Sequence, residues 1–146
     1  TRSPLIIAVP GQATAGSRSK SLVEFVDVYP TLVELCNLPL PANLEGTSLV
    51  SVLRDPSKTV KSAALSQFPR AADGKQIMGY SMRTDRYRLT RWVNQDDHSR
   101  VFALELYDHQ VDPRETVNVA DDPANTELVA RLTVQFGVAW LGAVKK

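Results

Sequence analysis

The stretch from Ile77 to Asp108 constrains this chain more than any other. Ile77-Met78-Gly79-Tyr80-Ser81-Met82-Arg83-Thr84 breaks at Asp85-Arg86 and resumes as Tyr87-Arg88-Leu89-Thr90-Arg91-Trp92-Val93. A polar gap from Asn94 to Arg100 follows, then a return over Val101 to Asp108. In the middle segment Tyr87, Leu89 and Arg91 fall on one face, and Arg88, Thr90 and Trp92 on the other. A period of two carried by aromatic and β-branched residues marks a half-buried strand. The spacing predicts an antiparallel hairpin with a return strand, and its apolar face needs cover from the elements on either side.

The amino-terminal run is a second constraint. Pro4-Leu5-Ile6-Ile7-Ala8-Val9-Pro10-Gly11 is apolar without alternation, the pattern of a strand buried on both faces of a parallel or mixed sheet. It could belong to a local sheet, but the next sheet-forming material lies far downstream. Leu5 to Val9 is therefore expected to be the last strand of a larger sheet whose other strands are not in this chain, and the sequence reads as a fragment. The net charge of +1, from 17 basic and 16 acidic residues, gives no field that favours nucleic acid or an anionic membrane. No apolar run is long enough for a membrane span. A single cysteine allows no internal disulfide.

In chain order, Gln12 to Ser21 reads as a surface loop and Leu22 to Val26 as extended. Asp27 is expected to cap a helix with Val28, Leu32, Leu35 and Cys36 on one face, Pro30 in its first turn, and Pro39 and Pro41 ending it. Thr47 or Ser48 caps a short helix through Leu53. Ala63 to Phe68 reads as a strand, and Pro69 to Gln76 as a loop holding Arg70, Asp73 and Lys75. After the hairpin, Asp112-Pro113-Arg114-Glu115 and Asn118 mark turns, and Asp122-Pro123 opens a helix. That helix repeats Leu128, Leu132, Phe136 and Trp140, flanked by Val129 and Leu141, a stripe suited to covering one face of the sheet.

Few residues offer chemistry. Cys36 is the one possible thiol nucleophile, but it sits on a helix stripe without a basic neighbour and reads as a core cysteine. Asp96-Asp97-His98 has the residue types of a metal cluster, but it lies at a hairpin tip without a further ligand and reads as a solvated loop. His109 reads as a turn residue. Arg70, after Gln67-Phe68-Pro69, and Arg83, near Tyr80, present planar forks suited to carboxylate or sulfate. The plainer reading of Arg83 is an ion pair with Asp85 or Asp108.

Several stretches together resemble the C-terminal portion of a sulfatase. They are Pro4-Leu5-Ile6-Ile7 with Pro10-Gly11, Val26-Asp27-Val28-Tyr29-Pro30-Thr31-Leu32, Leu44-Glu45-Gly46-Thr47-Ser48-Leu49, and Glu105-Leu106-Tyr107-Asp108 with Asp112-Pro113, Glu115 and Asn118. Ser66-Gln67-Phe68-Pro69-Arg70, Met78 to Thr84, Tyr87-Arg88 and Trp92-Val93 are most similar to the iduronate-2-sulfatase group, which removes the 2-sulfate from iduronate in heparan and dermatan sulfate.

The resemblance implies an alkaline-phosphatase-like α/β fold. Residues 1–60 would end the large α/β domain with one strand and helix, and residues 61–146 would form a small antiparallel α+β subdomain with the C-terminal helix. It implies a sulfated saccharide as substrate, with Gln67, Arg70, Tyr80 and Arg83 as candidate substrate-binding residues. The formylglycine nucleophile arises in a Cys/Ser-x-Pro-x-Arg motif, whereas Cys36 precedes Asn37-Leu38-Pro39-Leu40, so it is not that residue. Formylglycine, the calcium ligands and the catalytic Lys and His are expected in an N-terminal part, the partner without which this chain is inactive. Periplasmic, lysosomal or secreted placement follows from the family alone. Two other readings stand beside this one: a non-catalytic carbohydrate-binding or interaction module with the same fold, and phosphoester hydrolysis on a related fold.

Overall fold

A computed structural model of the chain describes residues 3–72 and 74–144, with the side chains of 72 and 141–144 outside the description. Asp73 and the side chain of Leu141 therefore lie outside the described residues. Contacts divide the chain into two compact units, one ending at Ser62 and the other beginning at Ala63.

The first unit is built on α1 (Val28–Leu35), entered through a single 3₁₀ turn at Phe25–Asp27, and α2 (Val50–Arg54). Asp27 does not cap α1 with its side chain. Its carboxylate is fully buried and accepts from the backbone N–H of Glu24 (2.7 Å) and of Thr47 (2.8 Å) and from Lys61 Nζ (2.8 Å). Lys61 also reaches Glu24 at 2.5 Å. One turn on, the Thr31 hydroxyl donates to the Asp27 carbonyl and accepts from the Leu49 N–H at 2.9 Å. Gly46 makes this docking possible, because a Cβ there would overlap the Val26 carbonyl. These bonds fix α1 against the Gly46–Leu49 segment, whose Ser48 Oγ accepts from the Val50 N–H at the start of α2.

The buried face of α1 differs from the expected one. Pro30, Thr31 and Val33 point inward, whereas Leu32 is 52% exposed and Cys36 is exposed. The polar clamp turns the helix: Asp27 and Thr31 must face their partners, and Val33 joins Leu49, Val50 and Val52 in the small core. Cys36 is therefore not a core cysteine. Asn37, in the left-handed region at φ 53°, ends the helix as Leu38 N–H returns to the Val33 carbonyl. Leu5 to Val9 is not a strand and pairs with none of the described strands, and Ile6 is 89% exposed.

The second unit is a meander of β1 (Ala64–Ala72), β2 (Lys75–Arg83), β3 (Tyr87–Asn94) and β4 (Val101–Asp108), antiparallel throughout and in sequence order, with α3 (Thr126–Val144) on one face. Met82, Leu89 and Leu106 have no exposed surface and pack with Leu132 and Phe136 of α3. Leu128, Val129 and Trp140 join them, as the apolar stripe implied. Burying each such side chain contributes on the order of 1.5–3 kcal/mol. Asp122 starts the helical segment by accepting from the Ala124 N–H.

The stretch from Pro69 to Gln76 is not a loop. β1 runs on through Pro69 to Ala72, and the chain reverses at Gly74 with φ 72°. Proline is admissible because β1 is an edge strand, where one row of N–H groups has no ladder to serve. On the face away from α3, Trp92 lies flat across Gly79, where a Cβ would meet the indole ring at 2.5 Å. The same ring receives the Arg70 guanidinium at 5.3 Å and donates its N–H to Glu105 at 3.0 Å.

After β4 the turns are fixed by acids and amides. Asp108 accepts from Arg86 in a fork, at 3.0 Å from Nε and 2.6 Å from Nη2. Asp112 accepts from the N–H groups of Thr116 (2.5 Å) and Val117 (2.9 Å). Glu115, itself at φ 58°, joins Arg88 to His109. Asn118 accepts from the Leu106 N–H and donates to the Leu104 carbonyl, which ties the turn back to β4.

Candidate functional site

The ladder separates the four residues singled out from sequence. Gln67 stands opposite Tyr80, and both share the face of Met82 that α3 covers. Arg70 and Arg83 lie on the other face. Arg70 is opposite Ile77 and Arg83 opposite Ala64, six positions further along β2, or about 20 Å at strand spacing. Arg83 Nη1 donates to the Tyr87 carbonyl at 3.3 Å. Asp108, one of the carboxylates considered for it, takes Arg86 instead. The structure thus brings together Gln67 and Tyr80, and holds Arg70 on an indole elsewhere.

Around Tyr80 the fold adds residues that spacing could not join. Arg91 is the cross-strand partner of Tyr80 on β3. His98, from the β3–β4 tip, folds back so that its Nε2 lies 3.1 Å from the Tyr80 hydroxyl, with ring centroids 5.1 Å apart. Trp140 of α3 meets Tyr80 edge-on at 4.5 Å and stacks parallel to Phe136 at 6.3 Å. With Val93 these side chains line a recess of ≈ 130 Å³. Arg91 is half-buried there, and no carboxylate among the described residues lies within ion-pair range of it. His98 could have been found only through the register, which fixes where the hairpin tip turns. Its neighbour Asp97 is occupied by the N–H and hydroxyl of Ser99, which hold the carboxyl below the ordinary carboxylate range.

The recess offers a cation, an imidazole–phenol pair and aromatic walls. The described residues do not fit the metal that the resemblance implies. Among the described residues no three His, Cys, Asp or Glu side chains converge. The buried or turn carboxylates already serve lysine, arginine or backbone donors; the Arg86 guanidinium holds Asp108 below the usual carboxylate range, and the Val117 N–H does so for Asp112. Cys36 lacks the following proline and arginine at the required spacing.

Comparison with known proteins decides the family. Residues 1–138 match the family described as N-sulphoglucosamine sulphohydrolase, C-terminal. The chain belongs to this sulfatase C-terminal family. Among curated sulfatases it is 32% identical over 122 residues to the N-acetylglucosamine-6-O-sulfatase of Bacteroides thetaiotaomicron, covering 81% of this chain and 21% of that protein. It is 32% identical over 151 residues to human iduronate 2-sulfatase, covering 77% of this chain and 28% of that protein. A solved 2-O GAG sulfatase superposes with a TM-score of 0.65 at 26% identity, over 80% of this chain and 24% of the other. The fold is therefore that of the C-terminal portion of an alkaline-phosphatase-like sulfatase, and the chain spans 21% to 28% of these relatives' length. The clamps at Asp27, Thr31, Asp112 and Asn118 sit in the stretches that carried the resemblance, and in this chain they hold the scaffold.

Proposed function

We propose that this sulfatase C-terminal domain serves an enzyme of the iduronate-2-sulfatase type, walling one side of the substrate pocket and being inactive alone. The observation that carries the reading is the similarity to iduronate 2-sulfatase across most of the chain, together with the adjacent placement of Gln67 and Tyr80 from the two segments most like that group. Gln67 and Tyr80 would meet the sugar from one face of the sheet. Arg70 and Arg83, on the opposite face and about 20 Å apart, would meet separate units of a longer saccharide through sulfate or carboxylate. Calcium and formylglycine, which supply the attacking group and its Lewis acid, would belong to the N-terminal part. The exposed apolar side chains of the first unit, among them Phe25 (75%), Tyr29, Leu38 and Leu40, support a partner of that kind.

Joining this chain to the N-terminal part should give an enzyme that releases sulfate from a disaccharide carrying iduronate 2-sulfate faster than from N-acetylglucosamine 6-sulfate. The opposite preference would move the assignment to the N-acetylglucosamine-6-O-sulfatase type. If Arg83→Ala left both KM and folding yield unchanged in that enzyme, Arg83 would have no part in the site. A non-catalytic sugar-binding unit is the second reading, favoured by the self-contained core of residues 82–136. Sulfate release by the joined enzyme separates the two.

A further inference from the structure

We propose that the recess formed by Tyr80, Arg91, His98 and Trp140 is a subsite for the anionic substituent of one sugar unit, a sulfate ester or a carboxylate. This rests on the sulfated-sugar reading above and deepens it, because sequence reasoning selected only Tyr80 of these four.

Charge is the first argument. Arg86 and Arg88 each meet a carboxylate, and Arg70 lies over the Trp92 indole on the other face of the sheet. Arg91 is half-buried with no acid among the described residues in range. A guanidinium partly removed from water without a counter-ion costs free energy, and an arriving anion offsets that cost through a two-pronged hydrogen bond. Donor supply is the second. The Tyr80 hydroxyl and His98 Nε2 share one hydrogen bond at 3.1 Å. With His98 Nε2–H donating to the phenol oxygen, the phenol proton is free to point into the recess beside Arg91.

Shape is the third argument. Tyr80 and Trp140 meet at 63° with centroids 4.5 Å apart, forming a corner with two aromatic walls against which the C–H edge of a pyranose can rest. The volume of ≈ 130 Å³ admits an anionic group and one ring edge. The nearest acidic neighbour of His98, Asp97, is turned onto Ser99 at 2.6 Å. Every one of these side chains belongs to the second unit.

The test is titration of the 146-residue chain with three probes: a fully sulfated heparin-derived tetrasaccharide, its chemically desulfated counterpart, and sodium sulfate. The sulfated tetrasaccharide should bind, and the desulfated one should bind at least about tenfold more weakly, as expected for loss of a charge-assisted hydrogen bond. Arg91→Gln should weaken the sulfated probe by a similar factor, and Arg91→Lys by less. His98→Gln, at an exposed position, should weaken it without changing the thermal midpoint, which guards against loss of fold as the cause. Sodium sulfate competing as strongly as the tetrasaccharide would assign the recess to free anion and overturn the sugar subsite. Binding unaffected by Arg91→Gln and His98→Gln would overturn the recess while leaving the sulfated-sugar reading intact. Absence of any saccharide binding would also overturn the recess, whereas the sulfatase reading stands or falls on sulfate release by the joined enzyme.

Discussion

Asp27 carries a charge where water does not reach it, and every lone pair it uses is answered by a donor. Two backbone N–H groups from different segments and the Lys61 ammonium converge on one carboxylate. Removing the carboxylate leaves the Glu24 and Thr47 N–H groups unanswered and Lys61 with Glu24 alone, and each orphaned buried donor costs about 1–3 kcal/mol. Asp27→Ala is therefore expected to lower the thermal midpoint of the chain strongly. Asp27→Ala with Lys61→Met should recover part of the loss, and equal midpoints for the single and double variants would show that the pair is not coupled. Other acids contribute to the response to pH, two of them at the end of β4 and in the turn after it. Asp108, beside Arg86, and Asp112, on the Val117 and Thr116 N–H groups, are both held below the ordinary carboxylate value of 3.8. A carboxylate depressed in the folded state stabilises it above the unfolded value, and that contribution is lost as pH falls through the folded one. Stability should thus be flat near neutrality and fall below about pH 4. Asp108→Asn and Asp112→Asn should each lower the midpoint at pH 7 and flatten its decline between about pH 4 and 2. A decline as steep as in the parent chain would clear both residues of that role.

Among the elements, the indole of Trp92 ties β3 to the other three strands: it crosses Gly79 of β2, reaches Arg70 of β1 and bonds Glu105 of β4. Gly79→Ala forces a Cβ to 2.5 Å from that ring, and the ring cannot move without releasing two partners. A cost of about 1–3 kcal/mol is expected for such overpacking, with a change in tryptophan emission. Combining it with Trp92→Leu should be less than additive; full additivity would mean that the ring is not what the methyl strikes. The elements themselves were largely legible. Alternation exposed β2 to β4, Asp122-Pro123 exposed the start of the helical segment, and the spacing of Leu128, Leu132 and Phe136 exposed the face of α3. β1 was cut short because Pro69 reads as a strand breaker when the edge position is unknown. The face of α1 was misjudged because hydrophobicity was weighed and the polar clamp of Asp27 and Thr31 was not. The recess was invisible for a related reason: Tyr80, Arg91, His98 and Trp140 meet only through register and the seat of α3, and neither has a local signal.

At the scale of the whole molecule the two units differ in what they bury. The second closes a core of Met82, Leu89, Leu106, Leu132 and Phe136. The first buries Val33, Leu49, Val50 and Val52, yet leaves Ile6, Phe25, Tyr29, Leu32, Leu38 and Leu40 each more than half exposed. Apolar surface on that scale marks an interaction site or an aggregation liability, and Leu5 to Val9, which joins none of the described strands, adds to it. If an N-terminal sulfatase part covers this surface, the isolated chain should bind a hydrophobic dye, associate as its concentration rises, and release no sulfate. Co-expression with that part should suppress dye binding and association and bring activity with it. Charged substitutions at Phe25 and Leu32, such as Phe25→Glu and Leu32→Lys, then separate two causes of the apolar exposure. Under the partner account they should improve the behaviour of the isolated chain and reduce the yield of active joined enzyme. A joined enzyme that forms equally well with those charges would place the N-terminal part elsewhere, and an isolated chain that stays monomeric and dye-free at high concentration would remove the need for a partner on that surface.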